Sequence, residues 1–251
     1  MTTNIMNKLT RMLPGGLFVL VFACQPALCR DGGGFAWDES RQGCGDQDGR
    51  PGSNKDGGIA PCSNLSKAEL DNAQMGNANL TGSRLDGARL KKAGLKNVRA
   101  EHANFRKSDL EGADLSGARL NGADFGSAGL SGAVMVKAWL NGANFNGADL
   151  RAADLGGVRM SSAALNGANL GGAVLRGAVM SGSWFNGADL NKADLRAADM
   201  RGVHLSSAVL TGADFTGANL AGAVFNGAVY DANTRFPPGF SPEDHAMTRR
   251  D

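Results

Sequence analysis

The side chains that most often perform catalysis or bind metals are few in this 251-residue chain, and they lie far apart. Its three histidines are His102, His204 and His245. Aspartates recur at a fixed spacing that marks an outward structural position, so pairs of them indicate no acid–base chemistry. The sequence contains no phosphate-binding loop, nucleophile elbow or zinc signature. We therefore expect no enzyme activity, no catalytic residues, no cofactor and no metal.

Cysteine chemistry is confined to the first quarter of the chain, at Cys24, Cys29, Cys44 and Cys62. Cleavage of a signal peptide after Cys29 would leave Cys44 and Cys62, and an even pair in an exported protein predicts a disulfide. Between them, DQDGRPGSNKDGG (46–58) has the composition of a calcium loop. Its spacing is not that of an EF-hand, because Arg50 stands within it and the terminal Glu is missing.

The first 29 residues are predicted to be a signal peptide. Lys8 and Arg11 form a positive region, and residues 15–23 (GGLFVLVFA) form an apolar stretch too short to span a bilayer as a mature helix. Cleavage after Ala23 and cleavage after Cys29 both remain open. Lipid attachment at Cys24 is a lesser alternative, because the preceding Phe fits that motif poorly. We expect an exported protein, periplasmic or extracellular, with no transmembrane span after cleavage.

A period of five dominates the rest of the chain. From Leu65 to Tyr230 a large apolar residue occupies every multiple of five except Ala100, giving 34 consecutive repeats, and the residue two before it is always Ala, Ser or Val. A helix is excluded because five residues advance about 500° around it. A flat strand is excluded because an odd period sends alternate residues to opposite faces. A coil with corners remains, in which both apolar residues point inward and the residue between them points outward.

The composition also repeats every 20 residues, which predicts four sides per coil and 8.5 coils. Five of the six Phe residues at the large position share one column with that spacing: Phe105, Phe125, Phe145, Phe185 and Phe225. Asn146, Asn166 and Asn186 form an outward Asn column. At the exception, Ala100, the larger Val98 is expected to fill the space.

The motif resembles that of the pentapeptide-repeat family: Ala, then Asp or Asn, Leu, any residue, Gly. It stands complete in ADLSG (113–117), ANLTG (78–82) and ANLAG (218–222). The resemblance implies an all-β, right-handed quadrilateral β-helix without a cofactor. The domain organisation is then a signal peptide at 1–29, a Gly/Asp-rich segment at 30–62, the solenoid at 63–232, and a C-terminal cap and tail at 233–251.

The best-known members of the family that this sequence resembles mimic DNA and bind bacterial type II topoisomerases, as in quinolone resistance. That role needs an acidic surface and access to the cytoplasm. Residues 63–232 contain 17 basic and 15 acidic side chains, and the chain carries a predicted signal peptide. DNA mimicry is therefore kept as an alternative function, and a purely structural envelope protein is the second.

Outward residues 20 apart should stack, which defines a candidate interaction surface. One column contains Arg99, Arg119, Trp139 and Arg159, while Trp184 and His204 stack on another. Exposed Trp beside Arg is typical of interfaces. We expect a rigid protein-binding or scaffold module whose partner is an unknown protein or an envelope polyanion. An exported protein is not expected to meet nucleic acid.

Four further expectations concern the two ends and the charge. Residues 84–107, rich in Lys and Arg, should form a basic belt around the first coils. The 30–62 segment is expected to cover the first coil. Phe236, Pro237, Pro238 and Phe240 are expected to cover the last one, and a solenoid end also offers a surface for a homodimer.

Overall fold

The computed structural model describes residues 36–38, 43–45 and 61–250. Over most of the last range one conformation repeats every five residues: a β-bridge, a short connection and a two-residue corner. The bridges are parallel and join residues 20 apart, from Asn64 paired with Arg84 to Val209 paired with Val229. The chain is thus a β-helix, and we call each 20-residue repeat one coil.

In the described part of the chain, strands longer than one bridge occur only before the repeat, at its last residues and after it. Strand β1 (Ala36–Asp38) pairs with β2 (Gly43–Gly45) in antiparallel fashion. Strand β3 (Val229–Tyr230) pairs in parallel with β4 (Thr248–Arg249), and a short 3-10 helix spans Glu243–His245. The predicted signal peptide at 1–29 lies outside the described residues, as does the side chain of Cys44, so the Cys44–Cys62 disulfide stays a prediction.

Backbone hydrogen bonds between coils explain why the period tolerates no insertion. The N–H of each large residue donates to a carbonyl in the next coil, as from Leu65 to Arg84 over 2.7 Å. The N–H of each outward residue donates to the preceding coil, as from Arg84 to Ser63 over 2.9 Å. One extra residue would shift every later donor away from its acceptor, and an unpaired backbone group that is buried is costly.

The core consists of the two inward positions of each repeat, as the period predicts. Both Ala100 and Val98 are fully buried, so the exceptional repeat leaves no opening to solvent. Phe105, Phe125 and Phe145 stack in parallel, with neighbouring ring centroids 4.8 Å apart. That distance equals the usual spacing between strands, because each ring is carried by the same position of successive coils.

Corners are made by the residue two after each large position, which adopts a left-handed conformation. Gly142 is representative, with φ of 66°, and Ala152 adopts the same conformation with φ of 53°. Glycine is frequent at this position because residues other than Gly, Asn and Asp are strained in the left-handed backbone conformation. The predicted Asn column also stabilises corners: the Oδ1 atoms of Asn146 and Asn166 accept the N–H groups of Asn166 and Asn186 over 2.8 and 3.1 Å.

Three outward aspartates, Asp149, Asp194 and Asp199, are neutralised by arginines two residues later. Asp199 accepts two hydrogen bonds from the Arg201 guanidinium, at 2.8 and 2.7 Å, and one from its backbone N–H. These bonds lower the pKa of the Asp199 carboxyl to about 2. Arg151 lowers the pKa of Asp149 in the same way.

The last coil is covered by the C-terminal residues. Phe236 stacks on Phe215 with centroids 5.5 Å apart, and Phe240 contacts Phe225 edge-on. The Tyr230 hydroxyl donates to the Glu243 carboxylate over 2.9 Å. Strand β4 then pairs with the edge that β3 would otherwise expose, as exposed strand edges require.

We predict that Phe125→Leu destabilises the protein more than Phe185→Leu does. Both changes remove similar apolar volume, but Phe125 lies between two Phe rings whereas Phe185 lies between Leu165 and Leu205. The difference should be about 1–3 kcal/mol, the value of two stacked aromatic pairs. Urea unfolding midpoints of the two variants measure it, and equal midpoints would show that ring stacking adds nothing to burial.

We also predict acid sensitivity from the aspartate–arginine pairs. An unfolded Asp titrates near pH 3.9, whereas the folded Asp199 has a pKa of about 2. Between these values the unfolded chain binds more protons, so the stabilisation is complete above about pH 4 and is lost as pH falls towards 2. Thermal midpoints should therefore drop over that range, and less so in Asp199→Asn. An unchanged slope in this variant would contradict the assignment.

Candidate functional site

The outward residues form four ladders, each a series of residues 20 apart. We name each by its first bridged residue: the Asn64, Glu69, Gln74 and Asn79 ladders. All side chains of a ladder project from the same position of successive coils. Because the backbone bridges fix their spacing at about 4.8 Å, neighbouring residues of a ladder are presented as a rigid row.

The Asn79 ladder brings together four of the predicted surface residues. Arg99 bridges Arg119, Arg119 bridges Trp139, and Trp139 bridges Arg159. We call these four residues the arginine strip. The other two predicted residues, Trp184 and His204, are bridged neighbours in the Asn64 ladder and lie on different coils from the strip.

The guanidinium groups of the strip lack carboxylate partners among the described residues. Seven arginines in that part of the chain form ion pairs with Asp or Glu: Arg84, Arg89, Arg106, Arg151, Arg196, Arg201 and Arg235. No such pair joins Arg99, Arg119 or Arg159 to any described carboxylate. Like charges directly opposite each other on a ladder are destabilising, so this row stores unfavourable energy that an anionic ligand would relieve.

Trp139 stands within this row and is 43% exposed. The Arg159 guanidinium carbon lies 5.0 Å from the centroid of its ring, which is cation–π geometry. The contact places a cation against the indole, and close to half of the Trp139 residue surface stays accessible to solvent. On the Asn64 ladder, Trp184 is 45% exposed and stacks on His204 with ring centroids 4.0 Å apart.

Two exposed apolar residues escaped the sequence-based prediction. Val179 follows Arg159 on the Asn79 ladder, and Val174 lies on the preceding ladder of the same coil; they are 36% and 37% exposed. With Trp139 and Trp184 they are the large apolar side chains that the described part of the chain exposes most. The sequence could have indicated them, because each is a Val at an outward position where the repeat usually has Asn, Asp or Arg.

The predicted basic belt is neutralised in part, by ion pairs that join neighbouring coils. Arg89 pairs with Glu69 and Asp71 at 3.1 and 2.7 Å, and Lys91 pairs with Asp109 and Glu111. These carboxylates lie 18 to 20 residues away, so the sequence brings them close only once the coil is formed. Four basic residues of the belt form no ion pair with a described carboxylate: Lys92, Lys96, Arg99 and Lys107. The belt therefore keeps part of its positive charge, and Arg99 belongs to both the belt and the strip.

The three histidines lie in different parts of the described structure. His102 is at a corner, His204 lies on Trp184, and His245 stacks on Phe240 in the cap. Within residues 61–250 no group of His, Cys, Asp and Glu side chains is arranged to hold a metal ion. In the same part of the chain no helix is long and apolar enough to cross a membrane.

Solved structures with detectable likeness are pentapeptide-repeat proteins. HetL from the cyanobacterium Nostoc sp. strain PCC 7120, involved in heterocyst differentiation regulation, is 30% identical; the match covers 68% of this chain and 90% of HetL, with a TM-score of 0.27. Rfr23 from the cyanobacterium Cyanothece 51142 is 30% identical over 41% of this chain and 63% of its own length, with a TM-score of 0.30.

A third solved structure, QnrB1, is a plasmid-mediated fluoroquinolone resistance protein. It is 18% identical, and the match covers 69% of this chain and 92% of QnrB1 with a TM-score of 0.39. No curated protein matches this chain significantly in sequence.

The family model for pentapeptide repeats matches in overlapping segments from residue 62 to residue 227, about two thirds of the chain. Proteins of this family form right-handed β-helices and are generally structural or binding proteins rather than enzymes. The repeat, the parallel bridges between residues 20 apart and this match agree over the same residues. The chain therefore belongs to the pentapeptide-repeat family.

Proposed function

We propose that this protein is an exported, non-catalytic binding module of the bacterial envelope and that it binds a protein partner through the arginine strip. Trp184 and His204 extend this surface around the solenoid. One observation carries the proposal: an exposed Trp139 lies among three guanidinium groups that no described carboxylate neutralises. Trp and Arg are the residues that most often dominate protein–protein binding energies.

The solenoid makes that surface rigid. We infer that the four bridged segments of each coil form the four sides of a square and that the 34 repeats make 8.5 coils, a height of roughly 40 Å. Side chains held in register by backbone bridges lose little conformational freedom when a partner binds, and this favours affinity. A purely structural role would use the same rigidity but would not need an exposed Trp in an unneutralised row.

Local charge pairing argues against DNA mimicry. A protein that imitates the phosphate backbone needs accessible carboxylates in rows. Here Asp149, Asp194 and Asp199 are each bound by an arginine two residues later. The likeness to QnrB1 is at 18% identity, so it supports the common fold and does not extend to a topoisomerase partner. Supercoiling by gyrase should accordingly be unaffected by this protein.

Export yields a first prediction for this function. The mature protein, isolated from envelope or culture medium, should begin after Ala23 or Cys29, with Cys44 and Cys62 joined. Intact mass with and without reductant measures both features, since a disulfide lowers the mass by about two hydrogens. A cytoplasmic protein that retains residues 1–29 would contradict the proposed location.

The strip itself yields a second prediction, testable by photo-crosslinking in living cells. p-Benzoylphenylalanine in place of Trp139 should yield a cross-linked protein species. The same residue in place of Val209, which lies on the Glu69 ladder, should yield none.

Charge reversal within the strip should then separate binding from accidental proximity. Arg119→Glu should abolish the Trp139 cross-link, because it replaces an attractive charge with a repulsive one. Arg151→Glu, a matched change outside the strip, should leave the cross-link intact. A cross-link that persists in Arg119→Glu, or none at position 139, would favour the purely structural role.

A further inference from the structure

Resting on the proposed function, we infer that the arginine strip binds an extended acidic peptide segment lying along the solenoid axis. The segment has the pattern acid–x–apolar–x–acid, with its apolar residue on Trp139 and its two carboxylates on the arginines.

The strip spans a length that an acid–x–apolar–x–acid segment of an extended chain also covers, although the two spacings differ. Counted from Arg99, Arg119 lies about 5 Å, Trp139 about 10 Å and Arg159 about 14 Å along the axis. Residues two apart in an extended peptide face the same way and lie about 6.7 Å apart. With an apolar residue opposite Trp139, one carboxylate falls between Arg99 and Arg119 and the other about 2 Å beyond Arg159. Arginine side chains are long enough to absorb such offsets.

The charge of the strip requires an anionic partner. No described carboxylate forms an ion pair with the strip residues Arg99, Arg119 and Arg159. The exposed side chain of Lys137, two residues before Trp139, also forms no ion pair with a described carboxylate. Carboxylates bind guanidinium groups through two parallel hydrogen bonds, which are stronger than neutral ones. A peptide carboxylate would also relieve the repulsion between Arg99 and Arg119, which are directly bridged.

The strip is narrow, and this distinguishes a peptide from a broad anionic surface. Asp114 and Asp124 lie on the two neighbouring ladders, five residues before and after Arg119, and Asp154 lies five residues before Arg159. Asp124 is paired with Arg106, but Asp114 and Asp154 form no ion pair with a described residue. An anionic surface that extended past the strip would bring its phosphates towards these two carboxylates and be repelled. A single extended chain contacts one ladder only.

The row is also partly apolar, since Trp139 and Val179 occupy two of its five positions from 99 to 179. Both side chains are more than a third exposed. Phosphate groups alone would leave this apolar surface in water, whereas an apolar peptide side chain would cover it. The order Arg–Arg–Trp–Arg–Val therefore favours a segment that alternates acidic and apolar residues.

The test measures binding of a defined peptide to the mature protein by fluorescence anisotropy. The probe is fluorescein-labelled SESFSESVS, and the control peptide SSEEFVSSS has the same composition without the spacing. We expect Arg119→Gln and Arg159→Gln each to weaken binding of the probe about tenfold, as loss of a charge-assisted hydrogen bond does. The control variant Arg151→Gln, whose arginine already pairs with Asp149, should stay within about twofold of the parent.

Three outcomes would overturn the inference. Equal binding of both peptides would show that spacing is not recognised. Equal loss in Arg151→Gln would show general charge attraction. If the protein binds phosphatidylglycerol vesicles but not the peptide, and Arg119→Gln abolishes the vesicle binding, the ligand of the strip is a lipid surface instead. If the Trp139 cross-link depends on Arg119 while the peptide does not bind, only this peptide class is wrong; if both fail, the proposed function fails too.

Discussion

The backbone hydrogen bonds between residues 20 apart are the constraint on which everything else in this protein depends. Each coil is too short to bury its own apolar residues, and only the coils before and after it complete the core. The bonds hold every side chain of a ladder at the same position, so the sequence of a ladder becomes a row on the surface or in the core. The Phe stack inside and the arginine strip outside are two consequences of one register.

That dependence explains which features were predictable. The period of five and the 20-residue repetition of Phe and Asn determine which residues stack, and the contacts of Phe105 with Phe125 and of Trp184 with His204 follow from counting alone. The corners were likewise predictable, because a left-handed residue must follow each large one at a fixed distance and Gly is frequent there.

Other features depend on side-chain reach and could not be counted. The belt at residues 84–107 reads as basic in sequence, yet Arg89 and Lys91 each reach two carboxylates, up to 20 residues away. Whether a particular Arg is neutralised depends on rotamers and on the residue beside it in the next coil. The pairing of β4 with β3 was also not predicted. The residues after 232 no longer follow the five-residue period, and no other sequence pattern there indicates a strand.

The contrast between neutralised and unneutralised arginines separates structure from function. Each of three arginines forms an ion pair with the aspartate two residues before it: Arg151, Arg196 and Arg201. These pairs stabilise corners of the solenoid, and their opposite charges largely cancel at the surface. Arg99, Arg119 and Arg159 do nothing comparable for the fold, and their repulsion is a cost that the solenoid carries. A repeat this regular could place Asn at those positions, as it does at Asn79 and Asn219 of the same ladder.

The central claim is that Trp139 is exposed in a positive field created by the arginines beside it. Collisional quenching of its fluorescence, in a protein with Trp37 and Trp184 replaced by Phe, tests this directly. With each quenching constant divided by that of free N-acetyltryptophanamide, iodide should quench Trp139 more strongly than caesium does at low ionic strength, and this normalised difference should disappear when Arg119 and Arg159 are both changed to Gln. Equal normalised quenching by the two ions in the parent protein would contradict the account.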